Sequence, residues 1–191
     1  MTSETPSGAS PGRASGSGPE PRGADVAAAI LAQHARVITL VEAVNVSSGT
    51  ERQQAFAVLV ALLARHEAAE GVAVHPVTAA MEPADAGISG QLVAAEEGAM
   101  QQVGRLEAFD VDSFEFTVQF QLLEEALSSH AAAEEAEELP VLHSLMTPEQ
   151  AATALRVLAA VENDAASPEE PGSFATQLEV ARDRYRALIR A

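Results

Sequence analysis

From Ala24 onward, apolar residues recur every three to four positions, the spacing of a helix with one buried face. Ile30, His34, Val37, Ile38 and Val41 share one face of a first predicted helix. The stretch Asn45 to Gly49 breaks the pattern, and Thr50 with Gln53 three residues on predicts a capping box that starts a second helix. The inner stripe of that helix reads Leu59, Leu63, His66, Glu70, Val74 and Val77. Pro83 and Gly87 mark the next turn. A third helix, ending near Asp110, carries Leu92, Glu96, Ala99, Val103 and Leu106 on one face. A fourth carries Phe116, Phe120, Leu123, Leu127, His130 and Glu134 and runs to Leu145. Thr147-Pro148-Glu149-Gln150 predicts a further capped helix, ending near Asn163. A Pro- and Glu-rich linker, Ser167 to Gly172, precedes a last amphipathic helix to Arg190.

Long helices with short connections predict an all-α protein, an antiparallel up-down-up-down four-helix bundle. Residues 1–23 are rich in Ser, Gly and Pro and are expected to be a disordered tail. The bundle is placed at 24–146. Residues 147–191 are expected to form one or two accessory C-terminal helices packed on its outside.

The composition agrees with helices. The chain is 47% hydrophobic but only 4% aromatic, so its core is built from small and aliphatic side chains. The formal net charge of -17 disfavours nucleic acid and anionic lipid as partners. The absence of cysteine removes thiolate metal sites, iron–sulfur clusters and disulfides together. No signal peptide is recognisable, and no apolar stretch reads as long enough to span a bilayer. A cytoplasmic protein is the expectation.

Each of the four inner faces is interrupted near its middle by a side chain able to bind metal. An uncompensated charge in a helical core is costly, and coordination is one compensation. Two segments echo each other: His66-x3-Glu70 followed by Pro76, and His130-x3-Glu134 followed by Pro140. Residues i and i+4 lie one turn apart on one helical face, so each pair can reach one cavity. His34 lies roughly 18 Å from the end of its helix and His66 roughly 22 Å from the start of the next, depths at which both can meet. A single His-x3-Glu in such a helix is most often a solvated contact; two copies with matched prolines are harder to explain that way. His66-Glu67 begins like the zinc-protease HExxH, but its last position is Glu70. The Glu-x-x-His pairs of ferritin-like bundles are absent. On the third helix Glu96 shares its stripe with Leu92, Ala99 and Val103, whereas the stripe of Glu97 runs into Gly104 and Glu107. Glu96 is therefore preferred to Glu97. His75 and His143 lie beside the helix-end prolines and are expected at surface or helix-end positions.

At these residues the chain resembles the hemerythrin-like HHE cation-binding proteins of bacteria, over about residues 26 to 145, with a C-terminal extension like that of many members. The resemblance implies two non-haem iron ions, oxo- or hydroxo-bridged and carboxylate-bridged. It implies His34 and His66 as terminal ligands of one iron, Glu70 and Glu134 as bridges, and His130 with the third-helix residue on the other. Glu67 is a possible further ligand, although a solvent-facing charge is an equally good reading of it. Oxygen-carrying hemerythrins place two histidines on the third helix; this one has none. Extra carboxylate charge should lower the reduction potential. Peroxide decomposition is therefore expected rather than oxygen transport, with oxygen, hydrogen peroxide or nitric oxide as the small-molecule partners. The alternative is a non-catalytic oxygen or iron sensor, or a storage protein. Manganese or zinc could use the same donors.

Overall fold

The computed structural model describes residues 19–81, 87–164 and 172–190. Residues 1–18 of the expected 1–23 tail, the turn at Pro83 and nearly all of the Ser167–Gly172 linker lie outside the described residues. The described residues are almost entirely helical: α1 (Gly23–Val46), α2 (Gly49–Ala73), α3 (His75–Met81), α4 (Ile88–Leu106), α5 (Phe114–Ala133), a π-helical segment (Glu134–Glu138), α6 (Leu139–Leu145), α7 (Pro148–Asp164) and α8 (Phe174–Arg190).

Side-chain pairs fix the directions of the main helices. His34 lies against Glu134, and Asn45, farther along α1, reaches Glu124, farther back along α5, at 3.0 Å. Thus α1 and α5 are antiparallel. Glu96 near His130 and Gln102 against Gln119 give α4 and α5 the same relation. His66 against Gln33, and Arg52 against the carbonyl of Val44, do so for α1 and α2. The up-down-up-down bundle expected from the sequence is therefore present. At one end Phe56, Phe116 and Phe120 pack together, with ring centroids 5.1 to 6.2 Å apart. His66 and His130 each lie ten residues beyond a member of this cluster, roughly 15 Å along their helices.

The middle of α2 is buried nearly all round, with unbroken buried runs Leu59 to Ala64 and His66 to Glu70. It packs against α1, α7 and α8 and also touches α3 and α4. Ala151, Ala154, Val157 and Val161 of α7, and Leu178, Ala181 and Tyr185 of α8, belong to the same continuous core as the first helices.

Several local expectations change. The Thr147–Gln150 capping box is present, with bonds of 2.9 and 3.3 Å. The start of α2 is earlier than Thr50: Ser48 is its N-cap. Gly49 at φ +56° follows it, a conformation suited to glycine, and its N–H donates to the Asp112 carboxylate. Ile38 is 64% exposed instead of facing the core. The helix α1 is, by length and composition, apolar enough to cross a membrane, contrary to the sequence reading; here Val26, Ile30, Val37 and Val44 are buried in the bundle.

The two prolines act differently. Pro76 has no N–H to continue the α2 ladder, so the helix breaks at Val74 and restarts at His75. Before Pro140 the chain widens into the π-helical segment, where the N–H of Leu139 reaches back five residues to the carbonyl of Glu134.

Candidate metal centre

Nine titratable side chains meet at mid-bundle: His34, His66, Glu67, Glu70, His75, Glu96, His130, Glu134 and Glu138, all buried. Three groups of them bring one ligand atom each within 4.8 Å of one another. They are His34, His66, Glu70 and Glu134; Glu67, Glu70, Glu96 and His130; and His75, Glu134 and Glu138. All six preferred residues are therefore brought together. Glu67 joins them, and Glu97 faces outward. His143 is exposed as expected, but His75 is only 3% exposed and lies inside the cluster.

The orientation of each imidazole follows from its hydrogen bonds. Gln33 donates its Nε2 to the carbonyl of Leu158 on α7, at 3.2 Å. Its Oε1 is thereby left to accept from His66 Nδ1, at 2.9 Å. Burial, reinforced by neighbouring histidines, pushes the His66 pKa well down, so the ring is neutral and its Nε2 lone pair faces Glu70 Oε2 at 3.3 Å. His34 is held similarly: its Nδ1 meets Glu135 at 2.9 Å and its Nε2 faces Glu134 Oε2 at 3.1 Å. Burial opposes protonation of His34, but Glu134 and Glu135 outweigh it and raise its pKa.

His75 differs from both. Its Nδ1 lies 3.0 Å from Glu138 and its Nε2 is hydrogen-bonded to Glu96. Burial opposes its charge, but the two carboxylates together raise its pKa to about 11. It is an imidazolium donating from both nitrogens, with no lone pair for a metal. Glu138, correspondingly, is held below the usual carboxylate range: burial works against this, and the bonds from His75 prevail. We therefore read the third group as an ion-paired brace on Glu96.

The remaining atoms lack partners. Both oxygens of Glu70 and of Glu134, Oε2 of Glu67 and both ring nitrogens of His130 are buried without a hydrogen bond. Such atoms are rare in folded proteins and call for an explanation. Burial and neighbouring carboxylates push Glu67 and Glu70 well above the usual range. Oxygen and imidazole donors facing one another across a shared space, with excess acidic charge, suit divalent or trivalent cations. Glu70 belongs to both of the first two groups, as a residue serving two adjacent cations must.

The family model for the Hemerythrin HHE cation binding domain matches residues 25–142, well over half of the chain. The chain belongs to the hemerythrin HHE family. Domains of this family bind metal cations, typically iron, and the buried His/Glu groups are where this member could do so. Neither the curated proteins nor the solved structures gave a match.

The sequence reading missed Gln33, His75, Glu135 and Glu138. Glu138 had a signal, standing four residues after Glu134 and eight after His130. His75 had a weaker one in Pro76, because a proline in a helix forecasts a change of phase. Gln33 and Glu135 stand next to site residues in sequence and had no signal of their own.

Proposed function

We propose that this protein is a non-haem di-iron protein of the cytoplasm that decomposes peroxide. One iron would be held by His34, His66, Glu70 and Glu134, the other by Glu67, Glu70, Glu96 and His130, with Glu70 shared between them. The observation that carries this reading is the pair of donor groups sharing Glu70, with both oxygens of Glu70 and of Glu134 and Oε2 of Glu67 unpartnered. Imidazole and carboxylate donors suit iron, although manganese and zinc accept the same set.

When bound, an iron pair supplies a store for the two electrons that pass between peroxide molecules. The net reaction, 2 H2O2 → 2 H2O + O2, needs no outside reductant. The chain's own residues prepare the site. Gln33 and Glu135 fix His66 and His34 with their Nε2 atoms inward. Apolar walls from α1, α2 and α5 flank a cavity that reaches His34, His66, Glu67 and His130. The five buried carboxylates favour a low potential. The His75 imidazolium on Glu96 offsets part of that charge. A centre of low potential resists the reversible oxygen carriage of a transport protein.

The test is metal analysis and an absorption spectrum of the protein as purified from iron-rich culture, followed by oxygen evolution from added peroxide. Two irons per chain with oxygen evolution are expected. A metal-free product would end the di-iron reading. Two irons without peroxide turnover would leave a non-catalytic sensor or storage protein.

A further inference from the structure

A cavity of about 450 Å³ lies between α1 and α5 and opens on the bundle surface. Its inner end is formed by the buried residues His34, His66, Glu67 and His130. Its walls are Val37 and Val41 of α1, Leu63 of α2 and Leu127 of α5. Ile38, exposed on α1, stands among the residues of the outer end, with the carboxylates of Glu42, Glu124 and Glu135.

The size is out of proportion to hydrogen peroxide, which needs on the order of 60 Å³ if each of its oxygens claims the space of one water. Cavities of this volume with mostly apolar walls and a few polar groups at one end hold organic ligands. The charges narrow the class. Three carboxylates, Glu42, Glu124 and Glu135, stand at the outer end of the cavity, so an anion is repelled on entry. The aliphatic walls further in offer no partner to a charged body.

We propose that this cavity binds a neutral organic molecule with an apolar body and one oxygen-bearing head. The body lies against Val37, Val41, Leu63 and Leu127, and the head points to His66, Glu67 and His130. An alcohol and an organic hydroperoxide share this chemistry. The inference rests on the metal-centre reading for its meaning, since it names the substrate class of the same site, but the binding itself is measurable without turnover.

The probe is 2-phenyl-2-propanol, added to the protein as purified and followed by NMR chemical-shift perturbation. Saturable binding with a dissociation constant on the order of 1 mM is expected for a ligand of this size. Benzoate, tested on the metal-free protein so that no bound cation attracts it, should bind at least tenfold more weakly. Leu127→Trp, which fills the cavity, should abolish binding. Ile38→Glu, a change at an exposed position that should leave folding intact, should weaken it about fivefold or more. Absence of saturable binding, equal binding of benzoate, or unchanged binding in both variants would overturn the proposal. Cumene hydroperoxide then separates the two sources: disproportionation, 2 ROOH → 2 ROH + O2, which needs no outside reductant, running faster than with hydrogen peroxide and lost in Leu127→Trp, identifies a hydroperoxide substrate, and alcohol binding without such consumption identifies an alcohol ligand. A protein that binds the alcohol but holds no metal would overturn the di-iron reading and leave the cavity standing. One that holds two irons but binds no alcohol would do the reverse.

Discussion

Gln33 accepts a hydrogen bond from His66 Nδ1 at 2.9 Å while its own amide donates to the Leu158 carbonyl. A residue on α1 thus orients a ring on α2 and is itself oriented by α7. Removing the acceptor frees the other tautomer of His66, which would turn an N–H toward Glu70. Gln33→Leu should therefore weaken cation binding by about 10- to 100-fold. Titration of the metal-free protein with ferrous iron measures this directly. Undiminished affinity would show that His66 needs no such support.

Glu70→Ala should damage both cation positions, because Glu70 belongs to both of the first two donor groups. His34→Ala should deplete mainly one. Glu97→Ala, at an exposed position, should change neither. Metal-to-protein ratios of the three variants check the pattern. Equal mild losses from Glu70→Ala and His34→Ala would contradict the sharing of Glu70.

Much of this was legible in the sequence, most clearly on α4. Its buried residues are Leu92, Glu96, Ala99, Val103 and Leu106, the predicted stripe, and Glu97 faces out. Stripe logic works there because α4 has one dry side. It fails on α2, which is surrounded: Glu67, off the predicted stripe, is as buried as His66. It fails again wherever the helical phase changes. The break at Val74 turns His75 inward, a change not visible to a rule that assumes 3.6 residues per turn, whereas Glu138, four residues after Glu134, stood on the periodic stripe that led to it.

The metal-free protein should lose stability as pH rises above the ordinary histidine value of about 6.5 toward the His75 value of about 11. Burial and adjacent carboxylates raise the pKa values of Glu67 and Glu70, so the folded chain holds protons that the unfolded chain has released. His75, raised to about 11, acts in the same direction above the ordinary histidine range, because its charged form stabilises the fold and is lost as pH climbs through that value. His66, lowered by burial, opposes folding only on the acid side, below about 6.5. Bound cations should flatten the alkaline decline by compensating the ionised carboxylates. Thermal melts across this range check it, and a metal-free melting temperature that rises from neutral to alkaline pH would refute the assignment.

His75→Leu leaves Glu138 and Glu96 buried without their shared cation. A loss of about 3–5 kcal/mol is expected for a buried pair broken from one side. Urea unfolding measures it. His75→Gln, which retains one donor, should recover part of the loss. A variant as stable as the parent would mean that the brace carries no weight.

Gly23→Ala tests the joint between α1 and α6. A Cβ at Gly23 would stand 1.9 Å from the carbonyl oxygen of Leu142, so backbone must move to admit a methyl group. A cost of about 1–3 kcal/mol follows for such overpacking. A lower urea midpoint with an unchanged slope is the expected result.

The packing of α8 along α2 also sets an order in time. Helices α1 and α2 are neighbours in sequence and can close as a hairpin while the chain is still being made. The contact between α2 and α8 joins residues more than a hundred positions apart. During synthesis, the helix carrying His66, Glu67 and Glu70 must therefore wait with one side in water until Tyr185 has left the ribosome. The helix that carries three of the centre's buried side chains is thus covered by a later segment that contributes none of its buried histidines or carboxylates.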